Sequence, residues 1–270
     1  MVFKSAMGAR RVVGLEYLPG LSRPPCGLAV DIDGTLTVER RRGDFRLDLE
    51  AVSLLRELDS RGIPVMLVTG NALPVAAGLG RYLGFRGPHV AENGCLLYYE
   101  EHPEKIIELC ENSTREAAEI VEEELGDLLE PSWQNRFRLY DYAFTLRRGS
   151  REDLSVAVEK VKRLLGERGF GWIRVESSGY AVHLRPREAS KGRAVVEAAR
   201  LLGLSRECVL GVGDSATDVD MALEIPTIAV GNADPRLKER AILVLRNASG
   251  RGVVELALAI LSLMSRGMGV

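Results

Sequence analysis

The chain has a single glutamine, Gln134, and far more arginine than lysine. Low content of heat-labile amides accords with a heat-adapted protein. Its four cysteines, Cys26, Cys95, Cys110 and Cys208, are scattered, and no pair has C-x-x-C spacing. That excludes a compact zinc knuckle and a thioredoxin-like motif, and leaves the cysteines as small buried apolar residues. No apolar run reaches the roughly 18 residues that span a bilayer. Lys4, Arg10 and Arg11 have no apolar signal-peptide core behind them. The net charge of −2 argues against a nucleic-acid binder working through a basic field. The one basic run, Arg40-Arg41-Arg42, is followed by Asp44 and reads as a solvated loop. Internal repeats and low-complexity tracts are also missing.

What the chain does have is 270 residues, 46% of them hydrophobic, enough for one large domain or two moderate ones. Residues 1–26, with Pro19, Gly20, Pro24 and Pro25, read as an N-terminal extension and linker. A buried strand at 27–31 follows, then a helical period through Ala51, Val52, Leu55 and Leu58 closed by Gly62. The apolar run Ile63 to Val68 is a second buried strand, ending at Thr69-Gly70-Asn71 before a helix over about 72–84. This alternation predicts an α/β fold, a doubly wound parallel (Rossmann-like) core. From 88 to 186 the pattern turns to hairpin-like strands with two helices, which predicts an inserted α+β module. The α/β rhythm then resumes over 187–270, with a helix from Lys191 and a buried strand ending at Gly213-Asp214. The expected division is therefore 27–87 with 187–270 as core, and 88–186 as insertion.

In doubly wound sheets ligands gather at the carboxyl ends of the strands. Asp31 and Asp33 lie at the first such end, Thr69 at the second, and Asp214 with Asp218 at a third. Lys191 opens a helix nearby in the topology. Each alone has a plain alternative: Asp-x-Asp as a solvated turn, Thr69 and Asp214 as helix caps, Lys191 as a surface cation. Together they would leave three carboxylates crowded at one sheet edge, where like charges resist ionisation. A divalent cation with hard oxygen ligands resolves that, and Mg²⁺ fits. A phosphate monoester brings negative charge that Mg²⁺ and Lys191 neutralise, while Thr69 and backbone N–H groups at Gly70 hold phosphoryl oxygens. Asp31 can attack phosphorus and Asp33 can move protons.

These residues, Asp31-Ile32-Asp33-Gly34-Thr35, Thr69, Lys191 and Gly213-Asp214 with Asp218, resemble in order the four motifs of the haloacid-dehalogenase superfamily of phosphohydrolases. The likeness spans about 27–265, and the insertion looks like that superfamily's type-2 cap. Val68-Thr69-Gly70-Asn71-Ala72-Leu73-Pro74, Ala91-Glu92-Asn93-Gly94, Gly179-Tyr180-Ala181-Val182-His183 and Gly211-Val212-Gly213-Asp214-Ser215 resemble the archaeal-type phosphoglycolate phosphatases within it. The resemblance implies Asp31 as nucleophile, Asp33 as acid and base, and substrate phosphate at Thr69, Gly70 and Lys191. It implies Mg²⁺ on Asp31, the Asp33 main-chain carbonyl, Asp214 and Asp218. Thr217 departs from the pattern, since relatives usually carry Asn there.

A small phosphorylated metabolite, 2-phosphoglycolate first, is the expected substrate. A sugar phosphate (hexose phosphate, sucrose phosphate or mannosyl-phosphoglycerate) and an inactive binding relative are the alternatives. His183, Arg185 and Asn93 are candidates to meet the leaving group. Neither nucleic acid nor membrane is expected as a partner, a homodimer stays open, and the cytoplasm is the expected compartment.

Overall fold

A computed structural model describes residues 21–38, 45–148, 150 and 153–267. The Arg40–Asp44 run and residues 1–20 of the expected extension lie outside the described residues. The chain runs β1 (Gly27–Asp31), α1 (Leu49–Ser60), β2 (Val65–Val68), α2 (Leu73–Leu83), β3 (His89–Ala91), β4 (Leu96–Tyr98) and β5 (Ile106–Glu108). Next come α3 (Arg115–Leu125), β6 (Leu129–Pro131), β7 (Tyr142–Leu146), α4 (Leu154–Glu167), β8 (Arg174–Ser177) and β9 (Val182–Arg185). It returns through α5 (Lys191–Leu201), β10 (Val209–Gly213), α6 (Val219–Glu224), β11 (Thr227–Ala229), α7 (Pro235–Arg240), β12 (Leu243–Val244) and α8 (Ser249–Gly267).

The large sheet has eight strands in the order β12-β11-β10-β1-β2-β3-β4-β5. From β12 to β3 all pairings are parallel, and β4 and β5 add an antiparallel edge. The period of two explains the layers. Leu28, Val30, Val65 and Leu67 face one side, against Leu55 and Leu58 of α1 and Val253, Ala257 and Ile260 of α8. Ala29, Met66, Val68 and Val209 face the other, against Ala194, Val195 and Ala198 of α5 and Met221 of α6. With both faces covered, the strands read as unbroken apolar runs rather than alternating ones. Helix starts follow capping chemistry: the Asp48 carboxylate accepts from Glu50 N at 3.0 Å and Ala51 N at 3.1 Å to open α1. Gly84 closes α2 at φ 77°, the left-handed conformation that favours glycine.

A second sheet of four strands, β6-β7-β9-β8, packs on α3 and α4 around its own core of Val121, Leu129, Phe144, Val161, Val182 and Leu184. This is the cap. Its extent corrects the expected boundary at 88. β3 pairs in parallel with β2 through Val68 and Val90, and β4 and β5 follow as hairpins on the same sheet. A run of hairpins was legible, but an antiparallel edge on a parallel sheet has the same local pattern as a separate module. The cap's own elements therefore run from Arg115 to Arg185. Between its two helices the cap carries β6 and β7, paired antiparallel through Leu129 with Leu146 and Pro131 with Phe144.

The reading of the cysteines as isolated apolar residues is also overturned. Cys26 is bonded to Cys208, and Cys95 to Cys110. The first pair lies at the adjacent starts of β1 and β10, and the second spans the β4–β5 hairpin. Sequence separations of 182 and 15 residues carry no spacing signal, so only the topology brings the partners together.

Candidate active site

Asp31 is the last residue of β1, two beyond Ala29 and so on the face that α5 covers. Ser190 caps α5 by accepting from Arg193 N at 3.2 Å, which makes Lys191 its first residue. The Lys191 ammonium donates to Asp31 Oδ1 at 2.7 Å and Asp218 Oδ1 at 2.6 Å. All three side chains are buried. Burial pulls the lysine down, but Asp218 and Asp31 outweigh that and hold it well above its ordinary range.

The third strand end works through backbone. Asp218 Oδ2 accepts from Asp214 N at 3.1 Å and Ser215 N at 2.9 Å, so the loop after β10 wraps around that carboxylate. A Cβ at Gly213 would stand 2.7 Å from the Asp218 side chain, and one at Gly34 (φ 92°) only 2.1 Å from Asp214 Oδ2. Both glycines are there so that carboxylates can come close to main chain. Thr35 donates to Asp214 Oδ1 at 3.2 Å. Thr217, the departure from the superfamily pattern, shares a 2.7 Å hydrogen bond with Ser215 Oγ.

Asp31, Asp214 and Asp218 each place a carboxylate oxygen within 4.8 Å of the others. Burial, and then Asp218, push Asp214 up to about 7. Burial, and then Asp218, likewise raise Asp31 well above the carboxylate range, against the pull of Lys191. One ammonium does not neutralise three carboxylates. The donors are all hard oxygens and the charge deficit is positive, so the residues present fit a divalent cation.

Asp33 goes elsewhere. Its Oδ2 accepts from Asn71 Nδ2 at 2.7 Å, and its carboxylate is outside the three-carboxylate cluster. Thr69 Oγ1 accepts from Asn71 N at 3.0 Å and Asn71 Nδ2 at 2.9 Å, leaving its single O–H to donate. Asp31, Asp33, Thr69, Gly70 and Lys191 open into one cavity of about 450 Å³ roofed by the cap. Asp31, Asp214, Asp218 and Lys191 thus form one group and Asp33, Thr69 and Asn71 another beside it.

On the cap side Trp133, Gln134, Arg138 and His183 face this cavity. His183 Nδ1 lies 3.0 Å from Asp141 Oδ1, and Asn93 donates to the other Asp141 oxygen. Burial would raise Asp141, but His183 and Arg138 hold it below the carboxylate range. Asn93 (φ 54°) and Glu92 (φ 48°) lie on the hairpin after β3. The Glu92 carboxylate accepts from the backbone N of Leu139, Tyr140 and Asp141, which anchors the cap to the core. Arg185, grouped with His183 by strand alternation, instead pairs with Glu176 at 2.6 Å and Asp220 at 3.1 Å. It is not among the cavity residues. Asp141 and Gln134 gave no functional signal in the sequence, and Glu92 only as part of the Ala91-Glu92-Asn93-Gly94 string, because their partners are fixed only by how the cap meets the core.

The chain belongs to the haloacid dehalogenase-like hydrolase family, whose model matches residues 28–129 and 138–256. Among its relatives, a protein of Staphylothermus marinus curated as phosphoglycolate phosphatase is 41% identical over 234 residues, 86% of this chain and 96% of that protein. One of Pyrobaculum aerophilum, with the same curated name, is 40% identical and covers 87% of this chain and 95% of its own. A crystal structure from Thermoplasma acidophilum shares the fold at TM-score 0.72 with 23% identity, covering 89% of this chain and 100% of that one. The sucrose-phosphatase of Synechocystis, solved with sucrose and phosphate, shares it at 0.66 with 20% identity over 88% and 98%.

Proposed function

We propose that the chain is a Mg²⁺-dependent phosphatase of a small phosphate monoester, 2-phosphoglycolate foremost, working through an aspartyl-phosphate. The observation that carries this is the separation of Asp31 from Asp33: one on the Lys191 ammonium, the other on the Asn71 amide. The relatives curated as phosphoglycolate phosphatases, matched over nearly their whole length, support the choice of ester.

In this reading Lys191, the Thr69 hydroxyl and the Gly70 N–H bind the phosphoryl oxygens. An Asp31 carboxylate oxygen bonds to phosphorus as the ester P–O bond breaks, and Asp33 gives its proton to the departing alkoxide. Water then attacks the same phosphorus, Asp33 takes its proton back, and the bond to Asp31 breaks to release phosphate. The carboxylates of Asp31, Asp214 and Asp218, with the Asp33 carbonyl, would hold Mg²⁺, which supplies positive charge against the phosphoryl group. Lys191 also draws the Asp31 carboxyl toward its ionised form, against the burial and the Asp218 charge that raise it.

The cavity of about 450 Å³ also admits a larger ester, and a hexose phosphate is the second reading. Among the described residues no helix is long and apolar enough to cross a membrane. The cytoplasm is the compartment we propose; two disulfides fit it in a heat-adapted cell, where intracellular disulfides persist.

The test is phosphate release from 2-phosphoglycolate and from hexose phosphates with Mg²⁺ present. Wild type should turn over, and Asp31→Asn should lose at least about a thousandfold in kcat. Unchanged turnover in Asp31→Asn removes the nucleophile, and a preference for a hexose phosphate reverses the order of substrates.

A further inference from the structure

We infer that Gln134 is a positioning residue through which the cap sets the proton-transferring carboxylate of Asp33, by way of Asn71. The inference rests on the phosphatase reading above and adds the means by which the lid communicates with the chemistry.

Gln134 lies in the short 3-10 helix Trp133–Phe137 between β6 and β7, on the cap. It meets the core with both ends of its amide. Gln134 Nε2 donates to Asn71 Oδ1 at 2.8 Å, and Gln134 Oε1 accepts from Ala72 N at 2.7 Å. Asn71 Nδ2 in turn donates to Asp33 Oδ2 and Thr69 Oγ1. The helix carrying Gln134 is itself pinned: Asn135 donates to Ala143 O at 2.9 Å and accepts from Ala143 N at 3.1 Å, which fixes it on β7.

The chemistry of the amide gives this chain its meaning. A carboxamide has a donor end and an acceptor end, and rotation about its terminal torsion exchanges them. If Asn71 turned over, its oxygen would face the Asp33 carboxylate, acceptor against acceptor. The Gln134 donor on Asn71 Oδ1 holds the amide the other way, with the NH₂ toward Asp33. Gln134 belongs to the cap and Asn71 to the core, so the lock exists only while the cap sits on the core. Asp33 is therefore set for proton transfer when the cavity is roofed, and loses that support when the cap lifts.

Leaving-group dependence separates this role from a plain structural one. Loss of a general acid costs most with an alkoxide leaving group and least with an electron-poor phenoxide, which departs without a proton. The steady-state kcat/KM reports steps through leaving-group departure. We compare 2-phosphoglycolate with p-nitrophenyl phosphate. Gln134→Ala should lower kcat/KM about tenfold more for the alkyl ester than for the aryl ester, a fraction of what a full general acid supplies. Gln134→Glu keeps the shape and the acceptor for Ala72 N, removes the donor to Asn71, and should give the same contrast. In Asn71→Ala the contrast should be as large, and adding Gln134→Ala should widen it no further, because the two act in series. Equal losses on both esters, or losses that multiply in the double variant, overturn the inference. Absence of turnover in the wild type would instead remove the phosphatase reading itself.

Discussion

Metal binding to this site should release a proton, and affinity should fall steeply below neutral pH. The three carboxylates approach within 4.8 Å, where two like charges repel by about 3.5 kcal/mol at an effective dielectric of 20. That crowding adds to burial in pushing Asp214 from its ordinary 3.8 up to about 7. A cation must therefore displace a proton wherever the pH lies below about 7. At pH 6 about 0.9 proton should leave per ion bound, and Asp31, raised in the same direction, adds to it. Between pH 8 and pH 5 the apparent affinity for Mg²⁺ should drop about a hundredfold, or about 2.7 kcal/mol. Lys191 stays charged across this range and contributes nothing to the slope. The sign carries to stability as well. Without metal, the folded state holds a proton that the unfolded chain has lost, so this contribution is present below about pH 4 and gone as pH rises through about 7. Calorimetric titration of the metal-free protein with MgCl₂, in two buffers of different ionisation enthalpy at pH 5, 6, 7 and 8, measures both numbers. A flat affinity from pH 5 to 8, or no proton release at pH 6, would refute the assignment of these three residues as ligands.

Two further outcomes concern the scaffold. Burial lowers His89 from 6.5 to about 4, and its Nδ1 accepts from Leu67 N at 3.2 Å in β2. The unfolded chain binds that proton first on acidification, so about 3 kcal/mol of stability should be lost as pH falls from about 6.5 to 4. Urea unfolding of wild type against His89→Gln should show a shallower slope in the variant, and parallel slopes count against it. Replacing each disulfide by a serine pair should lower stability by about 3 kcal/mol for Cys95–Cys110, which closes a 15-residue span. For Cys26–Cys208, with its 182-residue span, the loss should be about 5 kcal/mol. Thermal melts that do not shift on replacement or reduction would show that the loops are not closed by these bonds.

How much could be read from residues alone depended on how far each signal reached along the chain. The parallel core was legible because a strand buried on both faces is a continuous apolar run, and Ile63 to Val68 or Cys208 to Val212 can be little else. Asp31, Thr69 and Asp214 were legible because doubly wound topology puts the carboxyl ends of the parallel strands on one edge, and Lys191 because it opens a helix of that same rhythm. The failures share a cause. The hairpin from His89 to Tyr98 looks the same whether it extends a parallel sheet or begins a new one, and only its pairing with β2 decides. The cysteines pair across spans that leave no local trace. Arg185 sits on the same strand face as His183, yet Glu176 and Asp220 draw its guanidinium away from the cavity.

The two aspartates show how one backbone step changes chemistry. Asp31 is still in β1, so the sheet's alternation sends its side chain toward α5 and the lysine that opens it. Asp33 comes after the ladder has ended, where no alternation applies, and its carboxylate meets Asn71 from the loop after β2. As the proposed nucleophile, Asp31 needs a fixed cation and a rigid position, and the core supplies both through α5. As the proposed acid and base, Asp33 needs to be free of the cation cluster and to face whatever enters under the cap. One support of its carboxylate is a chain of amides ending on the cap itself at Gln134. On the proposed mechanism, the residue that moves the proton under the cap is thus the one whose amide neighbours reach the lid.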